Sequence, residues 1–382
     1  MQGKSQSRTM RRHHVRVRQA STLTTFLGLI ALLMLATAAF AQAPPAGFIE
    51  FEAPDAGTAT NQGTLALSIN STGVVDGYYY DSNLVAHGFV RSTSGTITEY
   101  DAPNAGTSAN QGTFAGQINT AGAIAGNSID GTGVHHGYTR TAAGAIAQFD
   151  VAEAGTLKDQ GTECCGLNTG GTAAGYYIDS SYARHGFVRS PSGVITTYDV
   201  AGAGTGLNQG TEGLSINDSG TVAGVYVDSK GVNHGYTRTS SGTITTFDVA
   251  GTGTGSGQGT APTLINNSGT VVGSYFDSRG FSHGFVRSSS GTITTFNVSG
   301  ALLTSGVSIN NSNIVTGYYS DTKANLHGFA RTAAGAFTLF SAPGAGTGPG
   351  TGTLAFGING TPKVVGYFIT SKGVYEGYIG SR

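Results

Sequence analysis

The chain has 382 residues; 62 are Gly and 9 Pro, and only 11% are charged, against the roughly 25% usual in globular domains. The first 41 residues hold six of the 20 Lys and Arg and none of the 21 Asp and Glu, so the remainder carries −7 against −1 for the whole. A mildly acidic surface with no basic stripe repels phosphate backbones and argues against nucleic acid as a partner.

Residues 1–41 run from a basic stretch ending at Arg18, through 15 mostly apolar residues from Phe26 to Phe40, to small residues at Ala39 and Ala41. That order is a secretory signal peptide cleaved after Ala41. The run falls short of the roughly 20 residues a spanning helix needs, so a retained anchor is the weaker reading. The segment after Arg11-Arg12 does not fit a twin-arginine signal. The mature chain, 42–382, is expected in the periplasm or outside the cell, as a monomer with no membrane span. Its only cysteines, Cys164 and Cys165, are adjacent. They cannot staple distant strands, and a vicinal disulfide and two reduced thiols both remain open.

One unit then repeats seven times. Glu52, Asp101, Asp150, Asp199, Asp248, Asn297 and Ser341 each follow an aromatic residue, at spacings of 49, 49, 49, 49, 49 and 44. No stretch is left for a second domain, so 42–382 is read as one domain. In the fourth unit four segments alternate or are rich in β-branched and aromatic residues: Val194 to Tyr198, Gly213 to Ile216, Thr221 to Val227 and Val232 to Arg238. Turn signals such as Asn217-Asp218-Ser219-Gly220 and Asp228-Ser229-Lys230-Gly231 join them as hairpins. A Gly-rich loop, Ala201 to Gly210, leads onward.

Four strands in about 49 residues is the size of a propeller blade. The expectation is an all-β, seven-bladed β-propeller of four-stranded antiparallel blades. Its phase leaves the last blade one strand short, so the N-terminal strand Phe48 to Glu52 is expected to close the ring. An open solenoid is the rival, but it requires capping ends that are not seen.

A charged trio recurs six times, as in Asp228, His234 and Arg238. Alternation puts His234, Tyr236 and Arg238 on one strand face, with the Asp across a turn, placed to orient the imidazole or pair with an Arg. Six copies around a ring argue for a structural lock rather than catalysis or a metal site. The seventh unit has Thr370, Glu376 and Gly380 instead.

The run Ser215 to Gly224 followed by Asn233-His234-Gly235-Tyr236 resembles the bacterial extracellular repeats of the HAF family. The resemblance covers nearly all of 47–382. It departs where His-Ala-Phe is replaced by His-Gly-Phe or His-Gly-Tyr, and in the absence of Trp. It implies secretion and a repeat architecture, and brings no known activity.

Function is expected to be non-enzymatic binding of a polysaccharide or another surface protein, with no cofactor and no metal. The loop residues Asn61, Gln62, Asn110, Gln111, Gln160, Asn208, Gln209 and Gln258 are the candidate ligand contacts, through amides that hydrogen-bond sugars. Satisfying the loop backbone is the alternative role for each. The rival functions are a polysaccharide-processing hydrolase or lyase and a purely structural or adhesive repeat. An enzyme needs a carboxylate pair or a metal in one place. Glu163 and Glu212, equivalent in neighbouring units, are the only such pair noticed. Calcium stays open, though Asp-Ser-x-Gly is poor in oxygen ligands.

Overall fold

The computed structural model describes residues 47–381; the signal-peptide reading of 1–41 lies outside the described residues. Each unit builds one antiparallel sheet. In the fourth, Gly210–Ile216, Val222–Val227, Asn233–Arg238 and Ile244–Phe247 pair in chain order. Equivalent groups occupy 63–100, 112–149, 161–198, 259–296 and 303–340. In the seventh, three strands within 352–381 are joined by Ile49–Phe51, which runs antiparallel to Tyr375–Ser381 with Ile49 opposite Ile379.

Strand starts fall within one residue of expectation except in the first strand, which begins at Gly210 rather than Gly213. Gly210 has φ +115°, and a Cβ there would run into the Arg184 carbonyl. Only glycine lets the chain leave the loop in that conformation and bridge Arg184 in parallel. The Asn-Gln-Gly-Thr signal therefore ends a loop and starts a strand.

First strands of successive groups touch one another, and Gly352–Ile358 of the seventh touches Gly63–Ile69 of the first. They form the innermost layer, and fourth strands lie outermost. Side chains stitch this layer at two levels. The buried second residue of each first strand accepts a backbone bond from just after the preceding group's last strand, as in Val200 N to Thr211 Oγ1 at 2.9 Å. At the other end, Asn217 Oδ1 accepts from Thr221 N within its own turn, while its Nδ2 donates to the carbonyl of Asn266 in the next group at 3.1 Å. Six such links run around the layer, and the one from Asn359 returns to Asn70. The sequence marks these asparagines as turn formers. Their second role needs the next unit to be in place.

Two glycines per unit are dictated by close approach. A Cβ on Gly224 would lie 2.7 Å from the ring of Tyr236, and one on Gly235 2.7 Å from that of Phe247. The third-strand aromatics Phe89, Tyr138, Phe187, Tyr236, Phe285, Phe329 and Tyr378 are fully buried, so these pairs seat the rings that hold each sheet together. Apolar clusters fill the space between neighbouring sheets, as where Ala125, Val151, Cys164, Leu167 and Phe187 pack together. Among the described residues no helix is long and apolar enough to cross a membrane.

Candidate functional site

The loop amides come first. Gln160 is fully buried; its Oε1 accepts from Leu157 N at 3.0 Å and its Nε2 donates to Ser180 O at 3.2 Å. Gln62, Gln209 and Gln258 make the same two bonds, and Gln111 the first of them. These glutamines latch the long loop to the turn between second and third strands, the backbone-satisfying role. Replacing Gln160 with Leu leaves buried backbone groups unpaired and is expected to cost about 1–3 kcal/mol, read as a lower urea midpoint; an unchanged midpoint would refute the latch. Asn61, Asn110 and Asn208 supply the left-handed conformation before each glycine, with φ of 65°, 66° and 60°. Two of them also accept side-chain hydrogen bonds: Asn61 Oδ1 from Tyr375 Oη at 3.3 Å, and Asn208 Oδ1 from Arg184 Nη2 at 3.2 Å.

The charged trio divides into two devices. Asp228 Oδ1 caps its own turn by accepting from Lys230 N and Val232 N. Its Oδ2 lies 3.6 Å from His234 Nε2, while Nδ1 of that ring donates to Asp248 at 2.9 Å. The ring stacks on Tyr226 with centroids 4.8 Å apart. Each imidazole thus joins two repeat positions that the sequence shows as separate, Asp228 and Asp248. His87, His136 and His185 are held in the same way. Carboxylates sit on opposite nitrogens instead of converging, and among the described residues no group of three or more His, Cys, Asp or Glu is arranged to hold a metal ion.

The arginine belongs elsewhere, which corrects the expectation of a single network. Arg238 lies over the ring of Tyr198 in the preceding group, 4.6 Å from ring centre to guanidinium carbon, and five other arginines do the same at 4.6–4.9 Å. These contacts rivet one sheet to the next.

The histidine devices make stability depend on pH. The hydrogen bond to Asp101 holds His87 above the usual imidazole value against the opposing effect of burial, and Asp199 does so for His185. A raised value in the fold means that the stabilisation is fully present below the unfolded pKa and is lost as pH rises through the raised one. Asp130 moves the other way, down to about 2: burial would raise it, but bonds from Val134 N, Thr132 and His136 outweigh burial. Its contribution is present above the ordinary carboxylate value and disappears as pH falls toward 2. Stability is expected to peak between about pH 4 and 6.5 and to decline above it. Urea midpoints from pH 3 to 9 check this, and a flat profile from 6 to 9 would contradict it.

One set of polar side chains does not repeat. At every junction two positions correspond, the first residue of a third strand and the third residue of the next group's first strand. Four of these pairs are Ala86 with Phe114, Asn233 with Ala261, Leu326 with Leu354 and Tyr375 with Leu65; Ser282 and Ser305 make a fifth, with hydroxyls 3.1 Å apart. In two adjacent junctions both members of the pair are titratable. His135 Nδ1 lies 3.1 Å from Glu163 Oε1, and Arg184 is hydrogen-bonded to Glu212. Tyr176 Oη donates to Glu163 Oε2 at 2.7 Å, and the Arg184 guanidinium lies 5.9 Å from the Tyr176 ring centre. Glu163 and Glu212 thus meet one neighbourhood through Tyr176 and Arg184, as their equivalence hinted.

All five residues are buried. Burial, the largest single influence, presses Arg184 toward losing its proton, but the charges of Glu212 and Glu163, Tyr176 and the hydrogen bond to Glu212 together outweigh it and hold its pKa above the ordinary value. Burial, with the neighbouring Glu163, pushes the Tyr176 phenol well up, so it remains a donor. Tyr176 shares its position with Tyr78, Tyr318 and Tyr367, whereas His135 and Arg184 escape a search for recurring residues because they do not recur. Aligning the units and asking which columns vary would reveal them: the first third-strand position runs Ala, His, Arg, Asn, Ser, Leu, Tyr.

No family model and no curated protein matches this sequence. Among solved structures the chain is similar to a streptogramin B lyase, with TM-score 0.56 and 13% identity over 88% of this chain and 98% of that one. It is also similar to the BP39L lectin of Burkholderia pseudomallei, with TM-score 0.55 and 10% identity over 83% and 95%. A puromycin hydrolase gives TM-score 0.54 and 12% identity over 88% of this chain and 54% of that one. At these identities the likeness is one of fold. The chain is an all-β repeat protein of the β-propeller kind.

Proposed function

We propose that this chain is an exported, non-enzymatic β-propeller of seven blades, closed by its N-terminal strand, that binds a polysaccharide or a surface protein. The observation that carries the binding function is the polar cluster of His135, Glu163, Tyr176, Arg184 and Glu212. The recurring charged residues and amides are occupied in holding loops, turns and neighbouring sheets. This cluster departs from the repeat at positions where the other junctions manage with uncharged residues, so the scaffold does not require it. Both of its carboxylates are tied to partners, which favours recognition over turnover. Support for the blade count and closure comes from the seven four-stranded groups, the Asn359 to Asn70 bond and the pairing of Ile49–Phe51 with Tyr375–Ser381. Export follows from the order of residues 1–41.

The test is the purified protein on an array of bacterial and plant cell-wall glycans and a panel of purified envelope proteins, with and without chelator. Saturable binding to one member supports the proposal. A blank on both panels overturns it, and release of new reducing ends from a bound glycan would replace it with the polysaccharide-processing alternative.

A further inference from the structure

We infer that the loop-bearing half of the innermost layer is a two-walled site for a neutral oligosaccharide, an inference that rests on the binding function proposed above. One wall is the polar cluster. The other is aromatic and lies in the first, second and seventh groups. Tyr78 packs against Tyr80 and Phe114 with ring centres 5.6 and 5.2 Å apart, and Tyr367 against Phe356 and Tyr375 at 5.2 and 5.6 Å. Tyr80, Phe114, Phe356 and Tyr375 are half-buried, so part of each side chain stays open.

The two walls stand at one level. Phe114, Glu163 and Glu212 are each the third residue of their innermost strand, and these strands touch in succession. In a circuit of seven, the aromatic seventh group lies across from the third and fourth, which hold the carboxylates. Asn61 and Asn208, bonded to Tyr375 and Arg184, carry the loops at the edge of each wall. Near-identical repeats have no steric need for this asymmetry.

The open parts of these rings accept the C–H face of a sugar, while the open edge of Glu163 accepts hydrogen bonds from its hydroxyls, with Arg184 and Glu212 fixing that edge from beneath. Glu163 keeps 11% of its side-chain surface open. Two carboxylates against one guanidinium leave an acidic excess, which repels uronates and other polyanions. The ligand class is therefore a neutral hexose or N-acetylhexosamine chain.

The test is titration calorimetry of the purified protein with cellohexaose, maltohexaose, chitohexaose and polygalacturonate. Binding of one neutral hexasaccharide, weakened at least tenfold in both Tyr80→Ala and Glu163→Gln and unchanged in Val194→Ser at the opposite end, is the expected result. Melting curves identify any variant that does not fold, and Glu163→Gln, which keeps the side-chain volume, holds that arm informative. Binding that survives both substitutions overturns the site while leaving the binding function standing. Preference for polygalacturonate, or no binding of the three neutral chains, overturns the ligand class. The binding function itself falls only with the blank on both wider panels.

Discussion

Replacing Arg184 with leucine is expected to destabilise the protein by about 3–5 kcal/mol, because it strands Glu212 as a buried charge. The magnitude comes from asymmetry. Both side chains of the pair are about 5% exposed, so each has already lost its water and depends on the other. Removing one partner leaves the desolvation of the second uncompensated. Asn208 also loses its donor, and the packing over Tyr176 goes with the guanidinium. Replacing both partners should behave differently, since the junction of the sixth and seventh groups holds Leu326 and Leu354 at the same two positions, both buried. The double variant Arg184→Leu with Glu212→Leu is therefore expected to recover most of the loss. Differential scanning calorimetry should show a fall in Tm of roughly 5–15 °C for the single variant and less than half of that for the double. A double variant no more stable than the single would show that the two junctions are not equivalent in shape.

Deleting residues 1–52 is expected to abolish the cooperatively folded state. Ile49–Phe51 covers the edge of Tyr375–Ser381, and its loss exposes a row of unpaired backbone groups that templates association with another chain. Two aromatic anchors go with it. Phe48 packs against Tyr378 and Phe340 with ring centres 5.3 and 6.0 Å apart; Phe51 packs against Phe89 at 6.0 Å and lies beneath Arg91. Glu50, which accepts from Gly344 N at 2.9 Å, ties the strand to a loop of the seventh group. The truncated chain should elute at a larger size than the intact protein or aggregate in size-exclusion chromatography with light scattering, and a peptide spanning 47–53 added in trans should restore part of the species of intact size. A truncated chain of intact size with unchanged melting would mean that the edge is dispensable.

Much of the architecture can be read from the chain because the unit repeats. A recurrence of Asn-Gly turns, of Val-x-Gly and of His-Gly-aromatic motifs shows many times over what a single hairpin shows weakly, and the strand boundaries of the fourth unit follow within one residue in three strands of four. The exception, Gly210, is informative. A glycine after Asn-Gln looks like loop, and only the approach of the Arg184 carbonyl from the neighbouring sheet makes it the first residue of a strand. Likewise Asp248 follows an aromatic residue in the sequence with no sign that it belongs with His234, because their contact crosses from third strand to fourth.

By itself the sequence determined the unit, its count, the order of its strands and the residues that build its turns, since these depend on local propensity and on periodicity along the chain. The tertiary structure decided the pairings between units: which ring each arginine covers, which carbonyl each turn asparagine reaches, and which side chains meet at each junction. Those choices are made by residues 20 to 300 positions apart whose complementarity, His135 to Glu163 or Arg184 to Glu212, leaves no local pattern. Contact there follows from the register of adjacent sheets, and register exists only once the sheets have packed.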